Sequence, residues 1–320
     1  MTQTLDNTQT GHRFPADAAI TVVELTRVYG SGKKTYTAVE KSTFHVNRGE
    51  VFGLLGTNGA GKTSTLEILE GLAEPTSGQV RILGLDPVVD RQRLRPDVGI
   101  MLQDGGLPAQ LTVDETMRMW AGTCSTPRPL DELLADVALT HRRDVRVGAL
   151  SGGEQRRLDL ACALVGEPSV IFLDEPTTGL DPESRRRTWE LLAQLKERGV
   201  TMVLTTHYLE EAEYLCDRIA IMHQGTIEVE GALTDLVSRA AAEITFTLSP
   251  NHPPLPELPG AQLTRDGHTV TVSTGALQHD THRLLDWAAE HDLELAGFAA
   301  RSASLETVFM DIAGNEVNPV

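Results

Sequence analysis

The stretch GTNGAGKT, Gly56 to Thr63, spaces its glycines, lysine and threonine as G-x-x-x-x-G-K-S/T. Glycines in such a loop let the backbone curl until several N–H groups face an anion. The lysine then reaches the β- and γ-phosphates of a nucleotide, and the following hydroxyl ligates Mg²⁺. On this reading Gly56, Asn58, Gly59, Gly61, Lys62, Thr63 and Ser64 hold a nucleoside triphosphate, Lys62 also serves its hydrolysis, and Thr63 holds the metal. A second group lies in VIFLDE, Val170 to Glu175, an apolar run closing on two carboxylates. Adjacent residues of an extended chain point in different directions. Asp174 is therefore expected to reach Mg²⁺ through its water shell, while Glu175 polarises the attacking water as general base. A third group is LSGGEQRR, Leu150 to Arg157, where a serine able to cap a helix and two glycines shape another phosphate-holding segment far from the first loop.

These groups need an α/β framework. VFGLLG reads as a short buried strand ahead of the loop, and TSTLEILEGL, with Leu66, Leu69 and Leu72 at helical spacing, as the helix behind it. AITVVEL and STFHV, joined by a Gly/Lys-rich turn, form a β-rich edge. Between about residues 86 and 166 helical patterns such as VDETMRMWAG and LDELLADVAL dominate, before SVIFLDEP and TMVLTTH return as apolar strands. After about Leu236 the register changes to the strands EITFTL and HTVTVST, the helix HRLLDWAAEH and a final apolar helix face of Leu305, Val308, Phe309 and Ile312. Ser304 is placed there as cap and Gly314 as stop. The organisation expected is a flexible tail over 1–18, a main domain over 19–236 with a helical insert at about 86–166, and an accessory domain over 237–320.

The phosphate loop, LSGGE and LDEPTTGLD occur in the order found in ATP-binding-cassette (ABC) ATPases, and the chain resembles that family over roughly Ala19 to Leu236. The resemblance implies a P-loop NTPase core of the ABC ATPase type with a β-rich edge subdomain and a helical insert, followed by a small α+β C-terminal domain. It also implies that ATP and Mg²⁺ are bound and that Ser151 and Gly153 hold the γ-phosphate of ATP on a partner chain, giving two sites at one dimer interface. Tyr29, in RVYG, matches the aromatic that stacks on adenine, with Tyr36 in the same long loop. Gln103 matches the glutamine that contacts Mg²⁺ and the attacking water, and the residues after it, about 104–112, would receive a membrane subunit. Asp181 matches the loop acid that crosses to the partner, and also stands where a helix cap would. His207 matches the switch histidine on the γ-phosphate.

Composition narrows the partners. Lysine and arginine total 28 against 45 acidic residues, a net charge of -17, which argues against nucleic acid as a main partner. The clusters RQRLR, HRRD and SRRRTW are short, without interleaved aromatics, and read as solvated helix faces. Cys124, Cys162 and Cys216 are too few and too scattered for a disulfide framework or a zinc site. The start, MTQTLDNTQTGHRFPADAA, lacks a signal peptide, and no run approaches a membrane span. The C-terminal layout resembles the accessory domain of bacterial drug exporters of the daunorubicin-resistance type. The function expected is thus the ATPase subunit of a bacterial exporter, homodimeric, held on the inner face of the cell membrane by a separate permease. The alternatives are an importer ATPase, which the C-terminal layout disfavours, and a soluble ABC ATPase acting on ribosomes or DNA, which one cassette with a short insert disfavours. The transported compound is not encoded in these residues.

Overall fold

A computed structural model describes residues 14–32, 34–103, 105–249 and 252–313. The expected tail thus falls mainly outside the described residues, as do Gly314 and Asp104. The chain divides into two compact units, one ending at Gly231 and the other beginning at Ala232.

In the first unit, strands β1 (Ala18–Ser31) and β2 (Lys34–Asn47) run antiparallel, and after β3 (Val51–Gly56) and helix α1 (Lys62–Leu69), β4 (Ser77–Ile82) joins β1. The ribbon of β1 and β2 is longer than expected. It continues through the Gly/Lys-rich segment because Tyr29, Thr35, Tyr36 and Thr37 are good strand formers. Both of its faces are largely exposed there, so no apolar alternation marked it. Short helix α2 (Arg91–Leu94) precedes β5 (Val98–Met101), and helices α3 (Val113–Ala121), α4 (Leu130–Asp136) and α5 (Gly152–Leu164) follow. Then come β6 (Val170–Asp174), α6 (Pro182–Glu197), β7 (Thr201–Thr206), α7 (Leu209–Leu215), β8 (Arg218–His223) and β9 (Thr226–Ala232).

A six-stranded sheet of order β5-β6-β7-β3-β8-β9 forms the centre of this unit, with β5, β6, β7, β3 and β8 pairing parallel to one another in that order. Val51–Gly56, Val170–Asp174 and Thr201–Thr206 are buried along their whole length, as strands covered on both faces must be. Phe44 of the small sheet stacks on Phe52 of the large one at 5.3 Å between ring centres, joining the two layers. Two expectations are corrected. The helical stretch over 86–166 is interrupted by β5, four residues paired with β6, too short to show a period. Leu72 lies beyond the end of α1 and is 48% exposed, whereas Leu66 and Leu69 are buried.

Each basic cluster carries ion pairs: Arg93 with Asp90, Arg142 with Glu154, Arg143 with Asp114 and Asp131, Arg186 with Glu190 and Arg187 with Glu183. No helix among the described residues is long and apolar enough to cross a membrane.

The second unit opens with α8 (Leu233–Arg239). Strands β10 (Ala242–Thr247), β11 (Gln262–Asp266), β12 (Thr269–Thr274) and β13 (Ala296–Arg301) pair antiparallel in the order β11-β12-β10-β13, with α9 (Leu277–Glu290) and α10 (Leu305–Ala313) completing it. Ile244, Phe246, Val270, Val272, Leu284 and Trp287 share one core, and each such side chain contributes about 1.5–3 kcal/mol by leaving water. Of the predicted face of α10, Leu305 is buried and Val308, Phe309 and Ile312 are half-buried. β11 and β13 are edge strands without apolar alternation, which is why the sequence did not mark them.

Candidate functional site

The phosphate loop leaves β3 at Gly56 and enters α1 at Lys62. Gly61 caps α1 with φ of 102°, and a Cβ there would lie 2.2 Å from the carbonyl oxygen of Ala38. At Gly56, φ is 154° and a Cβ would lie 2.4 Å from the carbonyl oxygen of Met222. Both positions therefore demand glycine, on conformation and on space. Beyond them the first N–H groups of α1 have no partner within the helix, the arrangement that receives anions. Buried Lys62 donates from Nζ to the carbonyls of Gly56 at 2.8 Å and Thr57 at 3.1 Å. Burial pulls its ammonium below the ordinary lysine range, against the upward pull of Glu175 and Asp174.

The C-terminal ends of three adjacent parallel strands bring the other groups together, as open α/β sheets do. Asp174 ends β6, buried, and accepts a hydrogen bond from Thr205 Oγ1 of β7; burial raises its carboxyl above the usual range. Glu175 follows with φ of 48°, a left-handed conformation uncommon outside glycine, pinned by its N–H donating to Thr205 at 3.1 Å. Its Oε1 lies 3.2 Å from His207 Nδ1, just past β7. Its Oε2 accepts from Thr178 Oγ1 at 3.0 Å and from Gln103 Nε2, just past β5, at 3.4 Å. Gln103, Glu175 and His207, predicted from separate segments, thus form one cluster.

Tyr29 and Tyr36 are directly paired across β1 and β2. The Tyr29 hydroxyl donates to Ser64 Oγ and Glu67 Oε2 at 3.2 Å, with the Arg27 guanidinium over its ring at 4.6 Å. Tyr36 donates to the carbonyl of Gly59 at 3.1 Å, so both phenols touch the loop or its helix. Thr57, Asn58 and Gly59 are exposed at the loop tip.

Ser151, Gly153 and Asp181 are not drawn into that cluster. Ser151 caps α5 in a reciprocal box: its Oγ accepts from Glu154 N–H at 3.3 Å, and its own N–H donates to Glu154 Oε2 at 2.8 Å. Gly153 is buried, with Ser184 Oγ 2.8 Å from where a Cβ would stand. Asp181 caps α6 by accepting from the N–H groups of Glu183 and Ser184, and the Ser184 bonds hold its carboxyl below the usual range. Among the described residues, none of these three bonds to Lys62, Asp174, Glu175 or His207.

Three residues of the neighbourhood carried no sequence signal. Arg156, in LSGGEQRR, was given no role by the sequence, and it is buried. Glu211 of α7 is wholly buried, accepting from Thr177 Oγ1 at 2.8 Å and Trp189 Nε1 at 3.0 Å, and burial raises its carboxyl. Glu70, just past α1, is pushed up to about 8 by burial first, then by Asp174 and Glu67, and its Oε1 has no hydrogen-bond partner. A carboxyl held above its unfolded value contributes stability that is full below that value, 4.5, and lost as pH rises through about 8. Glu70→Gln is therefore expected to melt several degrees above the wild type at about pH 9 and to lose that advantage at about pH 5, read by calorimetry.

No group of three or more His, Cys, Asp or Glu among the described residues could hold a metal unaided. One buried carboxylate, Asp174, and one hydroxyl, Thr63, are the oxygen set that suits Mg²⁺, which takes its remaining ligands from phosphates and water.

The description "ABC transporter" fits residues 39–178, and the description "ABC transporter domain-containing protein-like, C-terminal domain" fits residues 242–304. The doxorubicin resistance ATP-binding protein DrrA of Mycobacterium tuberculosis is 38% identical over 314 residues, spanning 92% of this chain and 93% of that one. The chain belongs to the ABC transporter ATPase family. Another relative, the Nod factor export ATP-binding protein I of Paraburkholderia xenovorans, is 38% identical over 313 residues, 94% of this chain and 99% of its own. Among solved structures, a dimeric post-hydrolysis ATP-binding cassette bound to ADP and Pi matches with a TM-score of 0.61 at 27% identity, covering 67% of this chain and 98% of that one. The ATP-binding subunit of an ABC transporter matches with a TM-score of 0.61 at 30% identity, covering 68% and 91%. This ABC ATPase binds ATP and hydrolyses it, on the P-loop NTPase fold expected from its motifs.

Proposed function

We propose that this ABC ATPase powers an exporter of drug-like compounds, working as a homodimer on the inner face of the membrane through a separate permease subunit. Relatives named for doxorubicin resistance and Nod factor export, aligned across both units of the chain, support export over import. The observation that carries the chemistry is the convergence of Gln103, Glu175 and His207 beside the phosphate loop. In this reading Lys62, the loop glycines, Asn58 and Ser64 bind the triphosphate, and Tyr29 stacks on adenine. Thr63, Asp174 and Gln103 hold Mg²⁺, which when bound neutralises phosphate charge. Glu175 accepts the proton of the attacking water, Gln103 orients that water, and His207, held by Glu175, faces the γ-phosphate. Ser151, Gly153 and Asp181, left apart from this cluster, serve the partner chain's nucleotide.

The permease is expected to dock on the segment after Gln103, about 104–112, because Gln103 joins that segment to Glu175. Cysteine placed at Leu107 or Gln110 is expected to cross-link to a co-expressed membrane subunit in an intact complex. An intact complex without that cross-link would remove the docking surface from the proposal.

A further inference from the structure

Arg156 lies on α5, one turn after the Ser151 cap, and is buried. Its guanidinium donates through Nε to the carbonyl of Pro176 at 3.0 Å, and through Nη2 to those of Asp174 at 2.6 Å and Glu175 at 2.9 Å. Through Nη1 it donates to the carbonyls of Leu102 at 2.6 Å and Gln103 at 2.8 Å. A guanidinium has five N–H donors in a fixed plane, and here each meets a backbone carbonyl. The five belong to two segments only, one bearing Gln103 and the other bearing Glu175. Asp159, the next turn of α5, backs the first segment so closely that a Cβ on Gly105 would lie 2.0 Å from its Oδ1.

We propose that Arg156 is a positioning residue, setting Gln103 and Glu175 against each other from the helix that Ser151 opens. The proposal rests on the roles given above to Gln103 and Glu175. A single planar cation shared by both backbones fixes the separation of the two side chains, whose Nε2 and Oε2 stand 3.4 Å apart. It also makes that separation follow any movement of α5. Lysine keeps the charge but offers three donors with no common plane, so it cannot hold both segments at once.

The test is steady-state ATP hydrolysis by the full-length chain carrying Arg156→Lys or Arg156→Met, each alone and combined with Glu175→Gln. A misplacement on the order of 1 Å at a reacting group costs about a hundredfold in rate, and that loss is expected in kcat. KM for ATP is expected to stay within about twofold, because the phosphate loop is untouched. In the Glu175→Gln background each substitution should cost much less than in the wild type, since a base that is gone cannot be mispositioned and only Gln103 is left to misplace. Unchanged kcat, or losses that multiply in the double variants, would overturn the proposal. So would loss of the melting transition by both variants, which would make Arg156 a fold residue only. Glu175→Gln protein hydrolysing at the wild-type rate gives a different pattern, failing the general-base reading itself.

Discussion

Glu175→Gln is expected to lower kcat for ATP hydrolysis by about 10²–10⁴-fold, the usual contribution of a positioned general base, while leaving ATP binding intact. The amide keeps the shape of the carboxylate and can still meet Thr178 and Gln103, but it cannot take the proton of water. ATP should then persist, and the variant should accumulate as a nucleotide-bound dimer, resolved by size-exclusion chromatography with light scattering. Wild-type turnover by this variant would end the general-base assignment.

Lys62→Ala is expected to weaken ATP binding by about a hundredfold, because a buried ammonium making charge-assisted bonds is removed from the phosphates. It should form no ATP-dependent dimer. Ser151 probes the same dimer from the other side, and its cap gives the experiment an internal control. Ser151→Ala loses the bond from Glu154 N–H and about 1 kcal/mol of stability, with no bulk added. Ser151→Arg loses the same cap and adds a long side chain at an exposed position. In the Glu175→Gln background, Ser151→Arg should abolish the nucleotide-dependent dimer and Ser151→Ala should only weaken it. Equal behaviour of the two would mean that Ser151 serves its helix alone.

The parts legible in the sequence were those where one strong local rule acts. The glycines of GTNGAGKT admit few other conformations, and the buried strands around Leu54, Phe172 and Val203 are apolar throughout. Asp174, Glu175 and His207 could be read because each ends such a strand. What was hidden depends on contacts between distant segments. β5 is strand because β6 lies beside it, not because Val98–Met101 carries a period. β11 and β13 are edges with little buried surface to write a pattern. Arg156 and Glu211 are charged residues of ordinary appearance whose burial is decided by carbonyls, hydroxyls and an indole from elsewhere in the chain. The left-handed turn at Glu175 was equally silent, since nothing in the letters LDEP distinguishes it from an extended continuation.

The sheet order has a bearing on how the chain is made. Val51 pairs with Met202, and Gly53 with Ile219, so the strand that feeds the phosphate loop sits between two strands synthesised much later. The ribbon of β1, β2 and β4 can close as soon as it leaves the ribosome, but β3 cannot be enclosed until β7 and β8 have emerged. At about 5–20 residues per second, the apolar stretch Val51–Leu55 waits for several seconds or more without its neighbours. A nascent chain arrested before Thr201 should therefore offer that stretch to chaperones, and one released beyond His223 should not.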